Sequence, residues 1–377
     1  MITQGKIKIL ETIRQGQVGG GETHVLDLVR KLDKDLFDVE VLSFTDGPMV
    51  DTLNALGINT YVIKTEKPFD ISIWGIVSRF IADRGYHIIH AHGTRAASNV
   101  FYSAKKLNIP MIYTAHGWSF HNNQHAIVRK VREFSESFLT KLAAKTITVS
   151  ESNKDDGIKK FNLKKAQVIY NGIDSKKFNP NGYYKDIRAE FGISDDNTLV
   201  GYLVRMTAQK DPFTMVRAIK EVSLTNKNIV FLMVGNGDLL NATKTMANEL
   251  GVLDQIVFSD FRNDVPAILN AIDIYCLPSL WEGMPIGLLE AMAMGKACIA
   301  SAVDGTAELI NNGVNGILIN KKDHHSLAKH IINLHVHKGY QKELGNNALR
   351  YIQQNHSLDE MVNKIQDVYL KTINSNY

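Results

Sequence analysis

The chain is poor in the features that mark several common protein classes. It has 2 cysteines, 8 prolines and 3 tryptophans in 377 residues. Cys276 and Cys298 lie in apolar, strand-like runs with no Cys-x-x-Cys spacing. That argues against a disulfide framework or a thiolate metal site and reads as two buried thiols in a reducing cytosol. No segment approaches the ~18 consecutive apolar residues of a spanning helix. Met1–Leu10 carries Lys6 and Lys8 and lacks a long apolar region, so no signal peptide is expected. An excess of one charge is missing as well. The formal net charge of +4 is slight for this length and does not suit a dedicated nucleic-acid binder. None of the 13 histidines shows a metal spacing such as His-x-x-x-His with a nearby acid. The dinucleotide fingerprint G-x-G-x-x-G fits neither glycine-rich loop.

What is present is a rhythm of strand and helix from end to end. Ile7–Ile13, Val39–Phe44, Thr60–Ile63, Ile88–His90, Met111–Thr114 and Thr146–Val149 read as short buried strands. Helical patterns at Glu22–Lys31, Met49–Leu56, Ile71–Arg84, Arg95–Leu107 and Ile127–Leu142 separate them. Alternation of this kind implies a parallel sheet with helices on both faces. Residues 171–182, rich in Asn, Gly and Pro, break the rhythm and read as an interdomain linker. The alternation then restarts with strands at Leu199–Leu203, Ile229–Val234, Ile256–Phe258, Ile274–Leu277, Ala297–Ala300 and Ile317–Ile319. Helices Pro212–Leu224, Leu239–Leu250, Val265–Ala271 and Ile286–Met294 lie among them, and beyond residue 322 the pattern is wholly helical. The reading is two doubly wound α/β domains in series with a cleft between them, binding ligand at the carboxyl ends of strands.

The most informative stretch runs from Leu280 to Gly295. Glu282 and Glu290 stand eight positions apart, with Gly283, Met284, Pro285, Ile286 and Gly287 between them. Glu282 falls in the loop before a helix and Glu290 about one turn inside it. The unpaired amides at a helix start can hold an anion, and the two carboxylates can accept hydrogen bonds from hydroxyls on either side of it. A diphosphate with a sugar at each end satisfies that arrangement, and a nucleotide-sugar is that molecule.

Other loops add to this. Gly19, Gly20 and Gly21 follow the first strand and let backbone amides approach a ligand. Arg205 and Lys210 flank a loop at the end of the second half's first strand, just ahead of Pro212, and suit a diphosphate. His116 follows another strand beside Gly117, where it can point into a cleft or be satisfied by local backbone. His90 and His92 sit similarly and could line an acceptor pocket. Asp33-Lys34-Asp35, formally an Asp-x-Asp motif, reads as a surface turn. The segment Ile127–Leu142 mixes an apolar stripe with Arg129, Lys130, Arg132 and Lys141. Such a helix can lie on an anionic membrane, but the favoured reading packs its stripe into the core.

Together these residues resemble the retaining GT-B glycosyltransferases of glycosyltransferase family 4, the "group 1" type, over nearly the whole chain. The resemblance rests on Gly19-Gly20-Gly21-Glu22, His116-Gly117, Val149-Ser150-Glu151, Ile169–Asp174, Arg205 with Lys210, Val234-Gly235-Asn236-Gly237 and, above all, the E-x7-E pair Glu282 and Glu290. It implies a GT-B fold of two Rossmann-like domains facing a cleft. An acceptor-side domain would span 1–178 together with a helix at 357–377 that crosses back to it, and a donor-binding domain would span 190–356. Arg205 and Lys210 would hold the donor diphosphate, and Glu290 the ribose hydroxyls. Glu282 with the amides near Met284–Gly287 would hold the transferred sugar, and His116 would contact that sugar near the reacting carbon. Gly19, Gly20 and Gly235 would line the donor, Phe261, Arg262 and Val265 would lie near the base, and Ser150 would join His90 and His92 on the acceptor side. Two departures stand out: Pro-Ile-Gly at 285–287 where the family usually has Pro-Phe-Gly, and Val303-Asp304-Gly305 where it usually has Val-Gly-Gly.

The implied activity is metal-independent transfer of a sugar with retention, from a nucleotide-sugar, most commonly a UDP-sugar, to a saccharide or lipid-linked acceptor in polysaccharide or glycoconjugate assembly. It needs no cofactor and no nucleic acid. The implied setting is cytoplasmic, with peripheral contact at the inner face of a membrane as an extension. The alternatives are a sugar-nucleotide epimerase or hydrolase of the same architecture, a nicotinamide-dependent oxidoreductase, and a non-catalytic sugar-nucleotide binder.

Overall fold

The computed structural model describes residues 5–16, 19–121 and 124–374 and divides into two units. The first runs up to Asn171 and resumes at Leu358; the second is Gly172–Ser357.

In the first unit the chain runs β1 (Ile7–Ile13), α1 (Gly20–Lys31), β2 (Phe37–Ser43), α2 (Pro48–Ala55), β3 (Thr60–Val62), α3 (Ile71–Ala82) and β4 (Ile88–His92). It continues through α4 (Gly93–Lys106), β5 (Met111–Ala115), α5 (Ala126–Leu142), β6 (Lys145–Thr148), α6 (Glu151–Phe161) and β7 (Ala166–Val168). The strands form one sheet in the order β3-β2-β1-β4-β5-β6-β7. Every pairing in it is parallel. That follows from the sequence: strands buried on both faces carry apolar runs rather than alternation, and helices must cover both sides. The strand order reverses between β1 and β4, so the loops leaving these two strands diverge and open a crevice.

The second unit repeats the plan: α7 (Ile187–Phe191), β8 (Thr198–Leu203), α8 (Pro212–Ser223), β9 (Ile229–Val234), α9 (Leu240–Glu249), β10 (Ile256–Ser259), α10 (Val265–Ala271) and β11 (Ile274–Leu277). Then come α11 (Ile286–Ala293), β12 (Ala297–Ser301), α12 (Asp304–Leu309), β13 (Ile317–Ile319), α13 (His324–Val336) and α14 (Lys338–Asn355). Its parallel sheet is ordered β10-β9-β8-β11-β12-β13, with the reversal between β8 and β11. Cys276 and Cys298 are buried and unbridged in adjacent strands of this sheet, at the places their apolar surroundings imply.

The last helix, α15 (Leu358–Asn374), belongs to the first unit. Its Leu358, Met361, Val362, Ile365, Val368 and Tyr369 join Ile7, Ile9, Leu28 and Phe37 in one buried cluster. The crossing-back helix is therefore core, not an appendage. Asp33-Lys34-Asp35 is a turn at the end of α1, closed by the Asp35 amide donating to Asp33 Oδ1 at 2.8 Å.

The elements that sequence pattern alone does not reveal are α6, β7, α7 and α12. They are short or lack an apolar stripe. Helix α6 reads Glu-Ser-Asn-Lys-Asp-Asp-Gly-Ile-Lys-Lys-Phe and is set by its ends. Ser150 caps it, accepting from the Asn153 amide, and Asn162 stops it in the left-handed conformation.

Helix α5 overturns the expectation that its apolar stripe is core. Ile127 (69% exposed), Val131, Phe134 (73%), Phe138 and Leu142 face outward, while Glu133, Glu136, Leu139 and Thr140 are buried. The reason is electrostatic anchoring. Glu136 accepts from Thr94 Oγ1 at 2.6 Å, Tyr113 Oη at 2.7 Å and the Ser119 amide at 3.2 Å. Each hydrogen bond to a buried carboxylate contributes about 1.5–3 kcal/mol. Turning the stripe inward would turn Glu136 and its neighbour Glu133 out, because the two sets occupy opposite faces of one helix.

Candidate active site

In the first unit, the chemistry gathers where β1, β4 and β5 end. His90 and His92 are two apart on β4 and so share a face; β1 sets Glu11 opposite His90. His92 Nε2–H donates to Glu11 Oε2 at 2.7 Å, and His90 Nδ1 reaches the same oxygen at 3.2 Å. Tyr369, from α15, donates its hydroxyl to Glu11 Oε1 at 2.6 Å and lies 2.6 Å from His90 Nδ1. Thr114 Oγ1 closes the set, 2.7 Å from His90 Nε2.

Burial works to raise the Glu11 carboxyl, but the charge and hydrogen bonds of His90 and then His92 outweigh it and hold the group far below the usual carboxylate range. Burial and the neighbouring His90 push His92 down to about 4. His92 is therefore neutral near pH 7 and, with its Nε2 proton committed to Glu11, presents a bare Nδ1. That nitrogen accepts from His116 Nε2–H at 3.0 Å. The carboxylate thus fixes the tautomer of two imidazoles in series. His116 is held well below the ordinary histidine value by burial and by His24 beside it.

His24, one turn into α1, donates Nδ1–H to Asn171 Oδ1 at 2.9 Å, and burial pushes it down to about 3. Its Nε2 is buried with no hydrogen-bond partner among the described residues. Ligand nitrogens of His24, His92 and His116 lie within 4.8 Å of one another. The glycine loop starts α1 here: Gly19 is its N-cap and Gly20 its first residue. A Cβ on Gly21 would stand 3.4 Å from the His116 ring, whereas one on Gly20 would meet none of the described residues within 4 Å. Gln17 and Val18 of the same loop lie outside the described residues.

In the second unit the loops after β8 and β11, either side of the strand-order reversal, bring the charged residues together. Lys210 Nζ pairs with Glu282 Oε1, and Gln209 Nε2 donates to Glu282 Oε2 at 3.3 Å and to the Trp281 carbonyl at 2.9 Å. The Leu280 amide donates to the Gln209 carbonyl at 2.8 Å, which zips the two loops. Tyr202 Oη donates to the Lys210 carbonyl at 2.8 Å, and Asp211 caps α8 through the Thr214 amide. Glu282 is held from behind: its amide donates to Asp304 Oδ2 at 2.9 Å. Asp304 takes a positive φ of 37°, a conformation that favours glycine.

Helix α11 starts at Ile286 with Pro285 as N-cap, so the motif is split as its spacing implies: Glu282 ahead of the helix, Glu290 inside it. Of residues 286–293 all are buried except Gly287 and Glu290, which are half-exposed. They are three apart and so neighbours on one face, next to the amides that a helix start leaves unpaired. Gly283, Met284 and Pro285 are buried in the turn. A Cβ at Gly287 would lie 2.8 Å from Tyr275 Oη, so its bareness is structural as well. Gly235 and Gly237 are demanded by packing: a Cβ on either would lie 2.1 Å or 2.3 Å from the carbonyls of Val204 and Met206. They let the loop after β9 run against the backbone around Arg205.

Phe261 is 42% exposed, Val265 opens α10, and Arg262 is clamped by Glu190 at 2.6 Å and Asp264 at 2.5 Å. Ser150 is buried as the cap of α6, and His90 is wholly buried. Sequence reasoning missed Glu11, His24, Tyr369 and Gln209, and met Asp304 only as a departure from the family pattern. Only Glu11 carried a signal, as an acid inside the apolar strand Ile-Lys-Ile-Leu-Glu-Thr-Ile.

Comparison with known proteins shows the family and the fold. Residues 18–177 match the model described as Glycosyltransferase Family 4, and residues 184–351 that described as Glycosyl transferases group 1. The chain is 27% identical to UDP-Gal:alpha-D-GlcNAc-diphosphoundecaprenol alpha-1,3-galactosyltransferase of Escherichia coli, covering 98% of each. Its fold matches the crystal structure of Anabaena HepE in complex with UDP and glucose, with a TM-score of 0.86 at 21% identity, over 96% of this chain and 99% of that one. WaaG, a glycosyltransferase involved in lipopolysaccharide biosynthesis, matches with a TM-score of 0.77 at 16% identity, over 96% and 99% of the two chains.

Proposed function

The chain belongs to the family 4 glycosyltransferases of the GT-B fold, and from that premise we propose that it transfers a sugar from a UDP-sugar to a saccharide or lipid-linked acceptor, with retention and without a divalent metal. One observation carries the reading. A lysine and a glutamate from loops on either side of a switch point form an ion pair at the mouth of a helix whose half-exposed residues are Gly287 and Glu290.

The role of each group follows from charge. A diphosphate arriving at the start of α11 would take Lys210 from Glu282, exchanging a carboxylate for a phosphate with its charge still paired. Glu282, released, would accept from the hydroxyls of the sugar being transferred, and Glu290 from those of the ribose. Arg205 would hold the second phosphate. The bond from the anomeric carbon to the diphosphate oxygen breaks, and the leaving oxygen takes the acceptor's proton as the acceptor oxygen bonds to the same face. Lys210, Arg205 and the α11 amides would stabilise the charge that develops on the diphosphate, the part a metal plays in other transferases. The contact implied for His116 with the donor sugar belongs to the same proposal. So does a ligand lying over Gly20, where a side chain would meet none of the described residues. So too do Phe261, Arg262 and Val265 near the base, and His90, His92 and Ser150 on the acceptor side.

The choice of uridine is supported by the UDP-Gal donor named for the Escherichia coli relative and by the UDP bound in the Anabaena HepE complex. The diphosphoundecaprenol named for that relative, and the lipopolysaccharide role named for WaaG, support a lipid-linked saccharide in cell-surface polysaccharide assembly. Calorimetric titration with UDP in excess chelator tests the core of the reading. Binding is expected without metal, and Glu290→Ala is expected to weaken it about 100-fold, the loss of two hydrogen bonds to a charged group. Equal affinity in the variant, or binding only with a metal present, would overturn it.

A further inference from the structure

His24, His92 and His116 come from three separate places, α1, the end of β4 and the loop after β5, yet a nitrogen of each lies within 4.8 Å of the others. The His24 ring stands edge-on to that of His116, with centroids 4.7 Å apart, and the rings of His92 and His116 stack at 5.2 Å. Each of the two more deeply buried rings is prepared as a ligand. His92 gives its Nε2 proton to Glu11 at 2.7 Å and so turns a bare Nδ1 toward His116. His24 gives its Nδ1 proton to Asn171 Oδ1 at 2.9 Å, which leaves Nε2 with only a lone pair. His24 is 2% exposed, and that nitrogen has no hydrogen-bond partner among the described residues. A buried lone pair with nothing to accept is uncommon. Metal-bound histidines share this outer pattern, with one nitrogen on the ion and the other N–H on an oxygen acceptor.

We propose that His24 Nε2, His92 Nδ1 and His116 Nε2 bind a divalent transition-metal ion of the zinc class, with the fourth tetrahedral position left to water. Nitrogens about 2.0–2.1 Å from a tetrahedral ion stand about 3.4 Å apart. His92 Nδ1 and His116 Nε2 are already at 3.0 Å, and no pair in the set has to close by more than about 1.4 Å. Binding breaks the hydrogen bond between His116 and His92. The Nε2 proton of His116 moves to Nδ1 of the same ring, so the imidazole stays neutral. Glu11, behind His92, supplies a negative charge toward the ion without touching it. A second trio, Glu221, His324 and His325 in the second unit, differs in kind. Its side chains are 28–75% exposed and both histidines already pair with the carboxylate. The ion has no part in the proposed sugar transfer, and the inference rests on the first unit alone, whatever the donor.

Calorimetric titration of the metal-stripped full chain with Zn2+ tests it, with Co2+ as a coloured probe. A single tight site with a Kd of about 1 μM or below is expected. Co2+ should give the intense visible bands of a four-coordinate ion, and Zn2+ should bleach them. His24→Ala is expected to weaken zinc at least about 100-fold, and Glu11→Gln, which keeps all three ligands, about 10- to 100-fold. His324→Ala with His325→Ala should leave the tight site as it is. Cooperative melting shows that each variant is folded, and the Co2+ spectrum of the wild type stands without any variant. Wild-type protein that bound Zn2+ but not UDP would sink the donor assignment and leave this inference standing. The absence of a tight zinc site in the wild type would overturn it, as would a six-coordinate Co2+ spectrum. So would a tight site that survives in His24→Ala and disappears in the double variant of His324 and His325.

Discussion

The two units have closely related sheets and place their polar residues at the same topological point, yet the two sites differ in kind. In the first, strands β1 and β4 carry Glu11, His90 and His92 within the sheet itself, so the network is buried and its protons are dictated by one carboxylate. In the second, β8 and β11 are apolar to their ends and the charges sit in the loops that follow, on Lys210 and Glu282, where the lysine keeps a fifth of its side chain exposed. A strand holds a side chain rigidly but buries it; a loop leaves it within reach of a ligand. The first arrangement suits groups that must stay neutral and oriented, and the second suits groups that exchange partners.

Three experiments would break or sharpen that contrast. The largest effect is expected at the exchanging pair. Lys210→Ala should lower kcat/KM about 1000-fold, the loss of a cation from a charge-developing site, and should also lower folding stability, because it leaves the buried Glu282 carboxylate without its cation. UDP release measured with any accepted sugar donor checks it, and a Lys210→Ala enzyme with near-normal turnover would remove the lysine from the chemistry.

The next effect is one of stability. His24 and His92 are depressed from 6.5 to about 3 and about 4, so between pH 6.5 and about 4 the unfolded chain binds protons that the folded one does not. Stability therefore falls as pH falls through that window, by on the order of 3 kcal/mol for each histidine once it is crossed. The Glu11 carboxylate, depressed below 4.5, adds its own loss only in stronger acid. Urea unfolding at pH 7 and pH 5 should show the drop in the wild type and a smaller one in His92→Gln. Parallel curves for the two proteins would contradict the assignment.

The smallest effect is expected at Asp304. Glycine there would relieve the left-handed backbone, but it would free the Glu282 amide that Asp304 now holds. Asp304→Gly should keep or slightly raise the melting temperature while weakening UDP-sugar binding about fivefold, the worth of one hydrogen bond. An affinity that did not move would show that the Glu282 loop is positioned by Gln209 and Lys210 alone.

Much of the architecture was legible before any coordinate. Buried parallel strands write themselves as apolar runs, and the acid pair 282 and 290, with glycine and proline between, announces a loop and a helix start. These signals are local, carried by residues within a turn or a strand of one another. Long-range pairing is not written that way. Tyr369 and Glu11 meet across 358 positions, and nothing about a tyrosine in an amphipathic C-terminal helix says that its hydroxyl ends on a strand at the other end of the chain.

Helix α5 marks the boundary most clearly. Its sequence alone determined that it would be a helix, that one face would be apolar and that cations would border that face. Which face turned inward was decided by Thr94, Tyr113 and the Ser119 amide, three partners from other segments that converge on Glu136. Periodicity fixes the angle between two faces of a helix. Only the surrounding fold, by offering a buried carboxylate its hydrogen bonds, sets which of them meets the solvent.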